Sequence, residues 1–287
     1  MRIIKTITEM KELVNGFRKQ ELKIGYVPTM GYLHDGHIQL IKESKKESDI
    51  TIVSIFVNPA QFNQVEDLKN YPRDVEGDIK KLESELVDVL YLPEVEDFYP
   101  NGIPKVKIQI PGMMDHLCGS TRPGHFDGVL LVLSKFFHII SPKYCYMGMK
   151  DYQQFKLVQK FSEICNFPID IIGVNTVRDQ DGLALSSRNS RLTQKERESA
   201  SLIPRSLKLG EKLFKEGERD LQAFKEILSD MIKSSSLLSL DYLEIVDTET
   251  LEPKEELNSP FLIAIAVFVG KVRLIDNILI TTKQVEE

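Results

Sequence analysis

The chain has 287 residues and only five histidines, yet two of them stand three apart in PTMGYLHDGH (28–37). Imidazoles at this spacing are open to three kinds of chemistry. Zinc is one, but a zinc site takes three or four protein ligands, and no cysteine or third histidine is suitably spaced nearby. Local capping and packing is the second. The third is phosphate chemistry. An apolar, strand-like run (KIGYVP) stops at Pro28, a turn with Thr29, Met30 and Gly31 follows, and a helix is expected from about Gly36 or His37. The backbone N–H groups that open a helix lack intrahelical partners and attract phosphate. Imidazoles there can donate to a transferring phosphate as its charge builds, and Gly36 between them lets a ligand approach the backbone. The P-loop pattern GxxxxGK[ST] is absent.

Four other stretches carry side chains suited to the same chemistry. In GMKDYQQ (148–154), Gly148, Lys150, Asp151 and Gln154 cluster where a strand should turn into a helix. Lysine binds phosphate as a point charge and aspartate suits ribose hydroxyls, although a Lys-Asp pair is also an ordinary solvated helix start. TVRDQDGLALSSRNSRL (176–192) puts Ser186, Ser187 and Arg188 side by side, enough to hold a polyphosphate or, alternatively, to cap a helix at Thr193. SIFVNPAQFN (54–63) ends an apolar run in the neutral amides Asn58 and Gln61, which suit hydroxyl and carboxylate groups of a small substrate. CGSTRPGHFDGV (118–129) places Arg122 and His125 in a Pro/Gly-rich turn before an apolar helix.

These residues need a scaffold that gathers strand ends. Through about residue 175, candidate strands (KIGYVP, DITIVSIFVN, VDVLYLP, VKIQI, KYCYMG, IDIIGVNTV) alternate with amphipathic stretches such as HIQLIKESKKES, DVEGDIKKLESEL and YQQFKLVQKFSEI. That alternation predicts an α/β domain with a doubly wound, Rossmann-like parallel sheet, whose ligands bind at the carboxyl ends of the strands. PTMG, VNPAQF, GMKD and TVRD all fall at such ends. Two helical segments (roughly 193–216 and 220–234) and three strands (LDYLEIVD, FLIAIAVFVG, VRLIDNILI) then predict a smaller α+β domain. The expected division is 1–176 and 177–287, with the second domain acting as a lid.

Bulk properties narrow the class. The formal net charge is −6, with 42% hydrophobic and 28% charged residues, so neither nucleic acid nor an anionic membrane surface is an expected partner. FLIAIAVFVG is too short for a membrane helix, and early lysine and glutamate break any secretory pattern. Cys118, Cys145 and Cys165 are odd in number and widely spaced, as in a reduced cytoplasmic protein.

Taken together, PTMGYLHDGH, VSIFVNPAQF, NYPRD, RPGHFDGV, MGMKDYQQ, TVRDQDGLALSSRN and VGKVRLIDNI resemble the pantoate–β-alanine ligase (pantothenate synthetase) family of the HxGH nucleotidylyltransferase superfamily, nearly end to end. The resemblance implies a ligase in which ATP and pantoate give pantoyl adenylate and pyrophosphate, and β-alanine then gives pantothenate and AMP. It implies that His34 and His37 contact the phosphates, with His37 as proton donor, while Lys150, Ser186, Ser187 and Arg188 hold the triphosphate. Met30, Gly31, Gly148, Val177 and Leu185 would frame the nucleotide, with Asp151 on the ribose. Gln61 and Gln154 would grip pantoate beside Asn58, and Val132 and Leu133 would line a pocket for its dimethyl group. Mg²⁺ is implied by the triphosphate without assignable protein ligands, and a homodimer through the first domain is implied as well. Met149 and Asp179 depart from the family's usual glutamates. HDGH alone reports ATP and not the acceptor, so another adenylyltransferase on this fold is the alternative.

Overall fold

The computed structural model describes residues 1–281. Two compact units emerge: residues 1–110, 122–149 and 154–177 form the first, and residues 111–121, 150–153 and 178 onward form the second.

The first unit is built on a six-stranded sheet of β1 (Arg2–Ile4), β2 (Ile24–Thr29), β3 (Ile50–Ile55), β4 (Val89–Tyr91), β5 (Tyr144–Gly148) and β6 (Asp170–Val174), in spatial order β1-β4-β3-β2-β5-β6. Every pairing is parallel. The central strands are buried on both faces, which is why they read as continuous apolar runs. Strand order reverses at β2 and β5, the switch point where a parallel sheet opens a crevice at its carboxyl edge. Helices α1 (Ile7–Lys19), α2 (Asp35–Glu47), α3 (Val65–Lys69), α4 (Val75–Ser84) and α5 (Val95–Phe98) belong to the first half of the chain. One core layer joins Leu40 and Ile41 of α2 and Leu82 of α4 to Val27, Val53 and Leu90 of the sheet.

After α6 (Leu117–Thr121) comes α7 (His125–Ile140), the most apolar helix of the unit; Phe136 packs against Tyr26, Phe56, Tyr91 and Phe98. α8 (Tyr152–Ile164) then leads to β6.

The second unit carries α9 (Gln194–Ala200), α10 (Leu202–Lys215) and α11 (Leu221–Lys233), then an antiparallel sheet of β7 (Leu238–Val246), β8 (Phe261–Val269) and β9 (Val272–Ile280) in that order. Its core joins Ile203, Leu207, Phe224 and Leu228 of the helices to Phe261, Ile263 and Ile265 of β8.

Three features differ from the sequence reading. VKIQI (106–110) alternates like a strand but is not assigned as one; it is largely exposed and belongs to neither of the two named sheets. The short β1, not anticipated, occupies the edge beside β4. The division is also not a single cut near residue 176, because residues 111–121 and 150–153 group with the C-terminal residues. Side-chain bonds explain that grouping: Tyr242 OH lies 3.4 Å from Cys118 Sγ, Arg273 Nη2 donates to Thr121 Oγ1 at 3.1 Å, and Tyr152 OH donates to the Thr248 carbonyl at 3.2 Å.

Candidate active site

The histidine pair sits where β2 hands over to α2. Thr29 ends the strand and donates its hydroxyl to the Ser54 carbonyl at 2.7 Å, while the same oxygen accepts from Gly31 N–H at 3.1 Å. Gly31 (φ 82°) then turns the chain in the left-handed region that glycine enters without strain. His34 is the N-cap of α2: its Nδ1 accepts from Gly36 N–H at 3.2 Å, and His37 Nδ1 accepts from His34 N–H at 3.3 Å. The rings are 4.1 Å apart, centroid to centroid. An Nδ1 that accepts must carry no proton, so the network assigns each neutral ring its proton on Nε2. Capping and phosphate contact are therefore compatible: one ring nitrogen fastens the helix start and the other is a donor.

A second cluster surrounds Gln61 in the turn Pro59–Gln61 after β3. Asn58, 1% exposed, donates from Nδ2 to Gln61 Oε1 at 3.0 Å and to the Gly128 carbonyl at 3.1 Å. Its Oδ1 accepts from Ala60 N–H at 3.2 Å and from Tyr99 OH at 3.0 Å. Burial pushes the Tyr99 phenol up, which keeps it a donor. All of this spends the capacity of Asn58 inside the protein, so it acts on Gln61 and fixes which end of that amide is which. The Gln61 amine lies 3.2 Å from Met30 Sδ, at the end of β2. His125 Nδ1 donates to the Gln61 carbonyl at 2.8 Å, which makes Nε2 the acceptor of Arg122 Nη1 at 3.0 Å. Gly128 allows α7 to come this close, since a Cβ there would meet the Ala60 carbonyl oxygen at 2.3 Å. Val132, one turn along α7 on the same face, and Leu133 beside it are buried. Gln154 is half-buried in the first turn of α8, and Gly148 ends β5.

The remaining predicted residues, apart from Val177, which ends the first unit, belong to the second unit. Lys150 and Asp151 lie in a 3₁₀ turn (Met149–Asp151), with Nζ 3.5 Å from the aspartate. Asn277 of β9 donates from Nδ2 to the Lys150 carbonyl at 2.8 Å. The adjacent Asp276, 3% exposed, takes Arg178 in a two-point ion pair (2.6 and 3.0 Å), and the same guanidinium donates to the carbonyls of Gly182 and Asn277. Residues 178–184 thus form a pinned hairpin leading to Leu185 and the 3₁₀ turn Ser187–Arg191. Ser186 caps that turn by accepting from Arg188 N–H at 3.3 Å, and Ser187 is buried. α9 is capped separately by a Thr193–Glu196 capping box, so the serines are not its cap.

A family model described as pantoate-beta-alanine ligase matches residues 2–279. A pantothenate synthetase of Leptospira interrogans (serovar Lai, strain 56601) is 50% identical over 278 residues, 97% of this chain and 98% of its own. One from Clostridium botulinum (strain Loch Maree / Type A3) is 48% identical over 96% of this chain and 98% of its own. The crystal structure of a Thermus thermophilus pantothenate synthetase superposes with a TM-score of 0.91 at 35% identity, over 97% and 99% of the two chains. That of a Francisella tularensis pantoate-beta-alanine ligase, complexed with beta-gamma ATP and beta-alanine, gives 0.81 at 38% identity, over 97% of each.

The chain belongs to the pantoate–β-alanine ligase family.

As a member of that family the enzyme joins pantoate to β-alanine, and a different acceptor for an adenylyl group is not favoured. Several residues that hold the motif stretches in place were not singled out from sequence. Tyr99 and Asp78 in the first unit, and Arg178, Asp276 and Asn277 in the second, hold the motif residues without being motif chemistry themselves. Asp276 and Asn277 did lie inside a quoted stretch, VGKVRLIDNI, where an acid beside an amide within an apolar strand was the available signal.

Proposed function

We propose that the ligase works through pantoyl adenylate. A pantoate carboxylate oxygen attacks the α-phosphorus of ATP, the bond to the bridging oxygen breaks, and pyrophosphate leaves with the electron pair. The β-alanine amine then attacks the acyl carbon, the C–O bond to AMP breaks, and the amine gives up a proton. Positioning and charge neutralisation dominate the first step. His34 and His37 serve it by donating from Nε2 to phosphate oxygens, with His37 protonating the leaving group. The reciprocal Nδ1 capping at the α2 N-terminus is the observation that carries this reading.

Lys150, Ser186, Ser187 and Arg188 neutralise the triphosphate, Asp151 takes the ribose, and Met30, Gly31, Gly148, Val177 and Leu185 frame the nucleotide. The Gln61 amine, oriented by Asn58, and Gln154 bind pantoate, while Val132 and Leu133 face its methyl groups. Among the described residues no group of three or more His, Cys, Asp or Glu could hold a metal ion. Mg²⁺ enters as MgATP, bound by phosphate oxygens and water, as is usual for this ion. The C-terminal unit acts as a lid that keeps water from the acyl adenylate, the enzyme is a homodimer, and it works in the cytoplasm. Its three free cysteines suit that compartment, and no helix among the described residues is long and apolar enough to cross a membrane.

The test is AMP release measured with pantoate and β-alanine each omitted in turn, alongside exchange of labelled pyrophosphate into ATP. Exchange should require pantoate alone, and AMP should turn over only with both substrates. Exchange without pantoate, or with other acids in its place, would remove the adenylate assignment.

A further inference from the structure

The turn that carries the histidines is held from outside by a helix whose sequence shows no motif. Asp78 lies in α4, 1% exposed, and each of its carboxylate oxygens accepts one backbone N–H of the turn: Oδ2 from Tyr32 at 2.7 Å and Oδ1 from Leu33 at 2.7 Å. One turn further along the same helix, Lys81 Nζ donates to the Leu33 carbonyl at 2.6 Å. The two side chains, three apart on one helical face, thus grip Leu33 by both of its backbone groups, and Leu33 immediately precedes the N-cap histidine. Tyr32 is held with φ at 51°, a left-handed conformation that a side-chain-bearing residue adopts only when its surroundings impose it. Leu33 is itself buried in the core layer that also holds Leu82 of α4.

We infer that Asp78, assisted by Lys81, is a positioning residue for adenylation, fixing the Tyr32–Leu33 backbone so that the His34 and His37 donors are set before ATP arrives. The inference rests on the phosphate role proposed above for the two histidines. The carboxylate touches no reacting group; it acts through the backbone. Its chemistry suits the task, because a carboxylate offers two acceptors in one plane and two successive amides present two donors. An amide in its place offers one acceptor and one donor, and that donor would face an N–H. Burial pushes the Asp78 carboxyl above its ordinary range even though both amides and Lys81 pull it down. A charged group kept where burial opposes it, with both oxygens committed to one turn, fits a group retained for geometry.

The test is Asp78→Asn in the full-length enzyme, assayed by pantoate-dependent pyrophosphate exchange with ATP saturating, with the pantoate KM and the melting temperature measured in parallel. The expected result is a folded variant with the pantoate KM within about twofold of wild type and an exchange kcat reduced by roughly tenfold or more, since small misplacements of catalytic groups have effects on this scale. A merely structural residue would lower the melting temperature and leave the kcat of the folded fraction unchanged, and that outcome overturns the inference. If Asp78→Asn fails to fold, Lys81→Met decides by the same split: a loss of kcat at unchanged pantoate KM supports the inference, and an unchanged kcat overturns it. Wild-type enzyme without pantoate-dependent exchange would instead count against the adenylate reading, so the two failures are distinguishable.

Discussion

Each histidine of the HDGH pair uses one nitrogen for structure and, in the function proposed above, the other for chemistry, which makes substitution informative. Alanine at either position removes a cap bond, worth about 1 kcal/mol, and a donor to the developing phosphate charge, worth about 2.7–4 kcal/mol in the transition state. His34→Ala and His37→Ala should therefore remain folded, melt a few degrees lower, and lose pyrophosphate exchange by about a hundred- to a thousand-fold. Near-normal exchange by either variant would relieve that residue of its phosphate role. Asp78 gives a second prediction at this scale, with a sign that follows from linkage. Burial raises its carboxyl, so the native chain holds that proton at a pH where the unfolded chain has released it. Between the two pKa values the native state binds more protons, and the contribution of Asp78 to stability improves as pH falls through the folded pKa and worsens as pH rises. Asparagine does not titrate. The stability of wild type relative to Asp78→Asn should accordingly shift in favour of wild type between about pH 7 and about pH 4, followed by denaturant unfolding. A shift toward the variant would mean that the two amides outweigh burial and the carboxyl is depressed.

At the scale of elements, the strand-helix alternation was legible because buried parallel strands leave long apolar runs and amphipathic helices leave a period. YQQFKLVQKFSEI coincides with α8, and FLIAIAVFVG contains β8. VKIQI shows where pattern runs out: alternation describes one strand, but a strand also needs a neighbour, and the partner is a property of the whole sheet. The motif residues were visible for their chemistry, while their supports were not, because Asp78, Lys81 and Asn277 bond to backbone atoms, which have no sequence identity. In DVEGDIKKLESEL the aspartate reads as one more charge on a solvated helix. β9 makes the same point with a testable consequence. Its Asn277 holds the backbone of Lys150, and the neighbouring Asp276 holds Arg178, so the middle of one strand sets two segments proposed to bind triphosphate. Asn277→Ala breaks the partly buried bond to the Lys150 carbonyl, roughly 1–3 kcal/mol if that carbonyl finds no replacement. The ATP KM should rise by roughly the matching fivefold to hundredfold while the pantoate KM changes little, because Gln61 and its supports belong to the first unit. Steady-state kinetics with each substrate varied in turn separates the two, and a selective change in the pantoate KM would contradict the assignment of Lys150.

For the whole molecule, the consequential departure from a simple two-domain reading is the path of the chain. It passes between the compact units after residues 110, 121, 149, 153 and 177, so the first unit is not a contiguous piece of sequence. A fragment ending at Val177 would keep residues 111–121 and 150–153 but lose the side chains that bind them, including Tyr242, Arg273 and Asn277. Cysteine reactivity reports this directly, since the three thiols occupy different places: Cys145 is fully buried in β5, Cys118 is buried against Tyr242 and Arg273 in the second unit, and Cys165 is exposed. Burial pushes the Cys145 thiol up, which further slows its reaction. In the full-length enzyme a thiol reagent should label Cys165 quickly and the other two slowly. In the 1–177 fragment Cys118 should join Cys165 in the fast phase, while Cys145 stays protected as an internal check that the parallel sheet has formed. The fragment should also make no pantoyl adenylate, lacking Arg178, Ser186, Ser187 and Arg188. Peptide mapping of the labelled protein assigns each phase to its residue. Protection of Cys118 equal to that of Cys145 in a folded fragment would show that residues 111–121 are organised by the N-terminal unit alone, and a single cut near residue 177 would then be the right description of the chain.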